Sequence, residues 1–420
     1  MRLLLLSQFY WPEQRSAPMT LSAVAEHLVA GGHEVTVVTG FPNHPFGRIY
    51  DGYRLRWRQW EQLRGVRVLR LPLYADHSLS PLRRGWHYAS FALSAGLLGP
   101  LLTRGFRPDL LFVYLPPLTN WLPIRTLRAW HRVPAVYWVT DVWPEALEAT
   151  GVGLPRWASR ALGRLDRMVL GAAVRICVNS PGLAGRMESV GVDPAKLEVV
   201  PDAAKQSHFR PVEPDPALAE ELGLRGTFNF VYGGNFGPAQ GLGTLLDAAA
   251  RVRDLSDVRL VLIGGGEEEE RLKQRVVEER LDNVVVVPRQ PMEEIHRFYA
   301  LADALVVHLL ADPLFDLQVP SKTMAYMACG KPILCAAGAS AAQIVITAGA
   351  GWTSAAGDAE ALARSFRETR ALDREVLRDC GRNARRAYLR DYTETAQVRR
   401  FEEILLRECR ERGAGPSDHA

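Results

Sequence analysis

The chain has 420 residues, 47% hydrophobic and 23% charged, with a net charge of +4. That length suits two domains of about 200 residues each, and the composition is that of a globular protein rather than a disordered one. Cys177, Cys329, Cys335, Cys380 and Cys409 are an odd set with no CxxC pair, which argues against a disulfide framework or a zinc site and for a reducing compartment.

Charge is unevenly spread. Residues 1–205 hold 24 Lys+Arg against 15 Asp+Glu, net +9, and the remainder is net −5. A basic first half points either to an anionic surface or acceptor near it or to uneven arginine usage alone.

The elements alternate strand and helix. The apolar run at 3–6 is too short for a signal peptide and lacks a nearby cleavage site, so it reads as a first strand. A helix over 18–30 follows, with Leu21, Val24, Ala25 and Leu28 on one face, stopped by Gly31 and Gly32. Strands are predicted at 34–39, 66–71, 110–114, 135–139, 176–178 and 197–200. Residues 86–102 are 17 residues without a full charge. They are short for a membrane span of about 20, and read as a buried or interfacial helix. Prolines 211, 214 and 216 mark a linker over 206–226. The rhythm then restarts, with strands at 228–232, 259–263, 284–287, 304–307 and 332–335, a charged helix over 358–390 and a last helix over 395–410. Near-continuous apolar strands separated by helices imply parallel sheets covered on both faces. The fold class is therefore α/β, with two Rossmann-like domains.

Three loops carry chemistry. In YGGNFGPAQG an apolar strand runs into Gly233 and Gly234, then Asn235, Phe236, Gly237, Gln240 and Gly241, then an apolar-periodic helix. Glycines let backbone N–H groups approach an anion, and the helix start adds a favourable dipole. The spacing is not GxGxxG, and the next strand ends in Gly264, Gly265 and Gly266 rather than an acid, which disfavours a nicotinamide-dependent oxidoreductase. The second loop ends in Pro320, Ser321 and Lys322. Ser321 is expected as the N-cap, which sets Lys322 in the first helical turn. A cation there opposes the helix dipole unless an anion offsets it. The third holds Asp141, Trp143 and Glu145 just past a strand. Acids around an aromatic can orient sugar hydroxyls or an acceptor, although a capped helix start accounts for much of the pattern.

At these residues the chain resembles glycosyltransferase family 4, the retaining nucleotide-sugar enzymes of the GT-B fold. It looks closest to the fucosamine-transferase-like branch of surface polysaccharide biosynthesis. The matching stretches run nearly end to end: SQFYWPE, GGHEVTVVTGFPNHP, VTDVWPEALEATGVG, VNSPGLAGRMESVGVDPAKLEVVPD, YGGNFGPAQGLGTLLDAA, LIGGGEEEERLK and VPSKTMAYMACGKPI.

The resemblance implies two domains facing a cleft: an acceptor domain over 1–205, a nucleotide-sugar domain over 227–390, and a final helix over 391–410 returning to the first. It implies no metal and no cofactor beyond a nucleotide-sugar co-substrate, UDP-linked by expectation. Around the diphosphate it places Gly233, Gly234, Asn235, Phe236, Gly237, Gln240, Gly241, Arg289, Pro320, Ser321 and Lys322. Asp316 would approach the donor sugar, and Asp141, Trp143 and Glu145 the acceptor, with Asp141 and Lys322 as the catalytic pair. The acceptor is expected to be a glycan, a lipid-linked glycan or a small molecule, not a nucleic acid. The location implied is the cytoplasm, with peripheral contact at the inner membrane face through the basic first domain. Two departures stand out. Many members carry cations where this chain has Asn235 and Gln240, and paired glutamates where it has Leu317 and Ala325. They keep a second reading open, a degenerate GT-B protein that binds without turnover.

Overall fold

The computed structural model describes residues 1–14, 16–76, 80–140 and 155–413. They form two compact units. One takes residues 1–179, 183–200 and the chain from 398 onward; the other takes 180–182 and 201–397.

The first unit contains β1 (Arg2–Leu6), β2 (Glu34–Gly40), β3 (Gln59–Leu63), β4 (Val66–Leu71), β5 (Leu110–Leu115), β6 (Ala135–Val139), β7 (Arg175–Val178) and β8 (Leu197–Val199). They lie in the order β3-β4-β2-β1-β5-β6-β7-β8. All pairings are parallel except β3 with β4. The central strand β1 is leucine at four successive positions, and successive side chains leave a strand on opposite faces. Leu4 and Leu6 therefore pack with Phe91, Ala95, Ile124 and Leu127 from helices Pro81–Leu102 and Trp121–His131. Leu3 and Leu5 pack on the other face with Leu21, Val24 and Leu28 of helix Ser16–Ala30. The chain's last helix, Glu394–Gly413, joins that second face. Its Phe401 ring lies 5.5 Å from Phe112 and 5.2 Å from Trp138, while Glu402 meets His27 at 2.8 Å and Glu408 meets Arg175 at 2.7 Å.

The second unit contains β9 (Phe228–Asn235), β10 (Val258–Gly265), β11 (Val284–Pro288), β12 (Ala304–His308), β13 (Ile333–Ala336) and β14 (Gly351–Thr353), all parallel in the order β11-β10-β9-β12-β13-β14. Helices Leu242–Ala250 and Ala359–Ala371 cover one face, where Phe230 and Phe366 stack at 4.2 Å. Helix Ser321–Cys329 covers the other. Successive strands build outward from β9 in one direction and then, from β12, in the other. Open parallel sheets bind ligands beyond the carboxyl ends of the strands at such a reversal. Here it falls between the loops after β9 and β12.

Several elements differ from the sequence reading. Strand β9 runs on to Asn235, because Gly233, Gly234 and Asn235 pair with Ile263, Gly264 and Gly265. Glycines in both strands permit this close approach. The segment 206–226 packs into the second unit: Phe209 and Leu224 are buried in its core, and residues 216–221 form a short helix. The charged stretch 358–390 divides into helices Ala359–Ala371 and Arg374–Ala387. Strands β3 and β14 are additional. β3 is a half-exposed edge strand, QWEQL, whose few apolar residues give little signal, and β14 is only three residues long.

The packing of Phe401 yields a prediction. Replacing this fully buried ring by alanine should cost about 3–5 kcal/mol, read as a lowered denaturant midpoint for the first unit. A change below about 1 kcal/mol would show that the last helix is not part of that core.

Candidate functional site

In the second unit, the loops after β9 and β12 meet over helix Ser321–Cys329. Glycine is required where the strands come closest. A Cβ on Gly264, which has φ +156°, would lie 1.9 Å from the Gly234 carbonyl oxygen. A Cβ on Gly234, with φ +150°, would lie 3.0 Å from Lys322 Nζ. The glycine loop and Lys322 are thus in direct contact.

Side chains of the unit hold the loop in place. The Tyr326 hydroxyl accepts from Gly233 N at 2.8 Å and donates to Gly233 O at 3.1 Å. Tyr232 donates to Asn235 O at 2.9 Å. Gln240 Oε1 accepts from Gly237 N at 3.1 Å and lies 3.4 Å from Asn235 Nδ2. His308, at the end of β12, has Nδ1 2.7 Å from Gln240 O, and Leu310 N donates to Ala239 O at 3.0 Å. These two bonds tie the loops together. Burial pushes the His308 pKa down, so Nδ1 acts as a donor from a neutral ring. Arg289 donates to Gly265 O at 2.8 Å and lies 3.4 Å from Asn235 Oδ1, which brings a second cation beside the loop.

Lys322 is the unusual member. Its stem is partly exposed, but its Nζ is buried and makes no hydrogen bond among the described residues. The nitrogen lies 3.7 Å from the centre of the Tyr232 ring. Such a contact contributes about 0.5–2 kcal/mol. Burial pushes the Lys322 pKa from 10.5 down to about 7, a displacement worth on the order of 5 kcal/mol. The ring therefore does not offset the desolvation, and the ammonium lacks the anion that would. Lys322 sits one residue into a helix whose first N–H groups have no intrahelical partners, so dipole and ammonium both favour negative charge at one place.

Other expected site residues fall in different settings. Pro320, not Ser321, occupies the N-cap position, and Ser321 is the first helical residue. The backbone explains this: Pro320 at φ −58° and ψ 131° makes the turn into the helix, and its carbonyl takes Thr323 N at 2.9 Å. The Phe236 ring is buried in the core, and its N–H is taken by Gly265 O at 3.1 Å, so its amide is already engaged. Gly241 adopts φ +58° at the start of helix Leu242–Ala250. Asp316 lies against helix Ala339–Thr347, where Oδ1 accepts from Ala339 N at 3.3 Å and its carbonyl takes the Ser340 hydroxyl at 2.8 Å. Asp141, Trp143 and Glu145 lie outside the described residues.

The sequence reading passed over Tyr232, Tyr326 and His308. Tyr326 had a usable signal, since it lies four residues after Lys322 on the same helix face. It also passed over a buried network in the first unit. Glu13 accepts from the backbone N–H of Tyr10, Asn43 and His44 at 3.2, 2.9 and 2.9 Å, bracing the loops after β1 and β2. Burial raises its pKa despite these bonds. Arg70, fully buried, meets Glu61, donates to Gly40 O at 3.1 Å and Trp11 O at 2.5 Å, and faces the Tyr53 ring.

Two family models match the chain: a glycosyl transferase 4-like domain over residues 18–203 and glycosyl transferases group 1 over residues 217–387. A putative colanic acid biosynthesis glycosyl transferase, WcaI of Escherichia coli (strain K12), is 26% identical over 79% of this chain and 82% of its own. A probable glycosyltransferase, WbjE of Pseudomonas aeruginosa, is 29% identical over 72% and 73%. Among solved structures, Anabaena Alr3699/HepE in complex with UDP superposes with a TM-score of 0.70 at 16% identity, covering 97% of this chain and 100% of that one. The sucrose-phosphate synthase of Thermosynechococcus elongatus gives 0.70 at 18% identity, covering 97% and 98%.

The buried ammonium has a stability signature. Because the folded protein holds the Lys322 pKa below its unfolded value, the cost is full below about pH 7 and fades as pH rises toward 10.5. Lys322→Met should therefore stabilise the ligand-free protein by about 1–3 kcal/mol near pH 6, with a gain that shrinks toward pH 10. Denaturant midpoints across that range test this, and a pH-independent effect would contradict it.

Proposed function

The chain belongs to glycosyltransferase family 4 of the GT-B fold, and from that premise we propose that it moves a sugar from a UDP-sugar to a lipid-linked or other glycan acceptor, with retention and without a metal. The observation that carries this reading is the Lys322 ammonium: buried, without a hydrogen-bond partner, and pressed against Gly234 at the start of a helix. A nucleoside diphosphate supplies the two negative charges this place lacks. Solved relatives of the same fold support the choice of base, since Anabaena Alr3699/HepE was crystallised with UDP and with UDP-glucose. The sugar is a hexose or an N-acetylaminosugar in this reading.

The chain's residues then divide the work. The bond between the anomeric carbon and the β-phosphate oxygen breaks. The acceptor hydroxyl oxygen bonds to that carbon on the same face, and its proton passes to the departing phosphate. Lys322, Arg289 and the N–H groups of Ser321 and Lys322 meet the charge that develops on the diphosphate, which is the largest single contribution such a site can make, and the glycines let it approach closely. Asn235 and Gln240 shape the loop without adding charge. Asp316 would face the donor sugar, and Asp141, Trp143 and Glu145 the acceptor. The basic first unit would bring the chain to the inner membrane face, where a lipid-linked acceptor resides. One observation favours binding without turnover instead: Leu317 and Ala325 leave no carboxylate at either position where many relatives carry one.

Calorimetry and product analysis test these points. Binding of UDP should raise the Lys322 pKa, so at pH 8 complex formation should take up as much as about one proton, and at pH 6 almost none. Equal heats in buffers of different ionisation enthalpy at pH 8 would remove Lys322 from the diphosphate site. Lys322→Ala should lower kcat/KM by roughly 2–4 kcal/mol, or about 30- to 1,000-fold, and turnover near the wild-type level would sink the assignment. The anomeric configuration of the product, read by proton NMR, decides retention. Nucleotide binding with no product from any UDP-sugar would favour the binding-only reading.

A further inference from the structure

A cleft of about 650 Å³ opens in the second unit at the amino ends of β12 and β13, the end of the sheet opposite the Lys322 site. Small organic ligands occupy clefts of about 300–1,000 Å³. Its walls are the turn at Gly330, Lys331 and Pro332, the residues just before β12, and one face of helix Arg374–Ala387. On that helix Arg374, Leu377, Arg378, Gly381, Arg382 and Arg385 follow the i, i+3, i+4 pattern, so they share a face. Gly381 sets how near the face comes. A Cβ there would lie 2.3 Å from the Gly330 carbonyl oxygen. Glycine inside a helix weakens it, and here the missing side chain lets the arginine face press on the turn.

Charge indicates what the cleft holds. Lys331, Arg374, Arg378, Arg382, Arg385 and Arg386 line it against one carboxylate, Asp303. Asp303 takes Arg374 at 2.7 Å, and Glu375 and Asp379 of the same helix take Arg378 and Arg382. The other three cations have only neutral partners among the described residues. Lys331 Nζ donates to Ala300 O and Ala302 O at 2.7 and 2.8 Å. Arg385 donates to Ala328 O at 2.6 Å and lies over the Tyr388 ring. Arg386 donates to Asn383 Oδ1 at 3.1 Å. A carbonyl or a ring satisfies a donor without cancelling its charge. Six cations against Asp303, Glu375 and Asp379 leave the cleft at +3. Residues 206–420 are net −5, so this is not the general bias of that half of the chain. Much of the remaining lining is apolar: Pro211, Pro332, Leu377 and the half-exposed Leu389. Guanidinium forks match phosphate oxygens two at a time, and the apolar lining fits a body attached to that phosphate.

We propose that this cleft is a second ligand site, which takes a small organic phosphate with its phosphate among Lys331, Arg382, Arg385 and Arg386 and its apolar body against Pro211, Pro332 and Leu389. It shares no residue with the diphosphate site. Binding here is measured without turnover and without a nucleotide-sugar, so this inference and the sugar-transfer reading can fail separately.

The test is calorimetric titration of the full chain with phenyl phosphate and with inorganic phosphate, each in the absence and presence of UDP. Phenyl phosphate should bind saturably, more tightly than inorganic phosphate, and alike with and without UDP. Arg382→Gln with Arg386→Gln, at two exposed positions, should weaken it more than about tenfold, with the unfolding midpoint and UDP binding unchanged. Leu389→Asn should narrow the margin between the two ligands. No saturable binding, equal affinity for the two ligands, or undiminished binding by the double variant would overturn the proposal. Displacement of phenyl phosphate by UDP would do the same, since the ligand would then sit at Lys322. So would a wild-type dimer in light scattering that the double variant dissolves while phenyl phosphate binding stays absent, because the cleft would then seat a second copy.

Discussion

Three buried or part-buried cations in this chain meet different fates, and the difference explains the second unit. Arg70 is surrounded by Glu61, two carbonyls and the Tyr53 hydroxyl. Lys331 places its Nζ on the carbonyls of Ala300 and Ala302 at 2.7 and 2.8 Å. Lys322 has only the face of Tyr232. Burying an ammonium without hydrogen bonds is among the costlier things a fold can do, and here it happens at a helix start beside a glycine strand end. The rest of the site serves that placement. Tyr326 fixes Gly233, His308 fixes Gln240, and Gly264 lets β9 and β10 run close enough to bring Gly234 under the ammonium.

The two units solve one packing problem in the same way and then diverge in use. Each has a parallel sheet whose central strands are apolar on both faces, and each covers both faces with helices. In the second unit, the loops at the reversal of strand order gather glycines and cations. In the first, the loops after β1 and β2 are braced from within: Glu13 binds three backbone N–H groups and Arg70 spans β2, β3 and the loop after β1. A carboxylate with three donors and a guanidinium with four partners are structural anchors. They hold the loops at the carboxyl ends of β1 and β2.

The outer face of helix Pro81–Leu102 obeys a different rule. Among the described residues Lys322 lacks a charge partner, whereas helix Pro81–Leu102 leaves Leu82, Trp86 and Leu97 exposed. Both are local conflicts between what the fold buries or exposes and what water tolerates. Such conflicts gather where a protein meets something outside itself.

Much of this was legible in the residues. The leucine run of β1, the EVTVVT of β2 and the valine run of β11 read as strands because apolar and β-branched residues favour a pleated, packed surface; most of β1 and β2 is buried, and β11 is half-buried at the sheet edge. The glycines after Tyr232 and the lysine after Ser321 read as one candidate anion site from local chemistry alone, and the structure brings Gly234 and Lys322 together. The edge strand β3 was not legible, because its residues are polar and its pairing comes from β4. Nor was the packing of 206–226, whose prolines signal a break in regular structure but not exposure. What the sequence determined was composition within reach of one strand or one helical turn. The tertiary structure decided which loops lie together: that Lys322 meets Gly234 across some ninety intervening residues, that Tyr326 returns to Gly233, and that no carboxylate among the described residues reaches the ammonium. Those are distances between elements remote in the chain, fixed by strand order and helix packing, and local pattern carries no information about them.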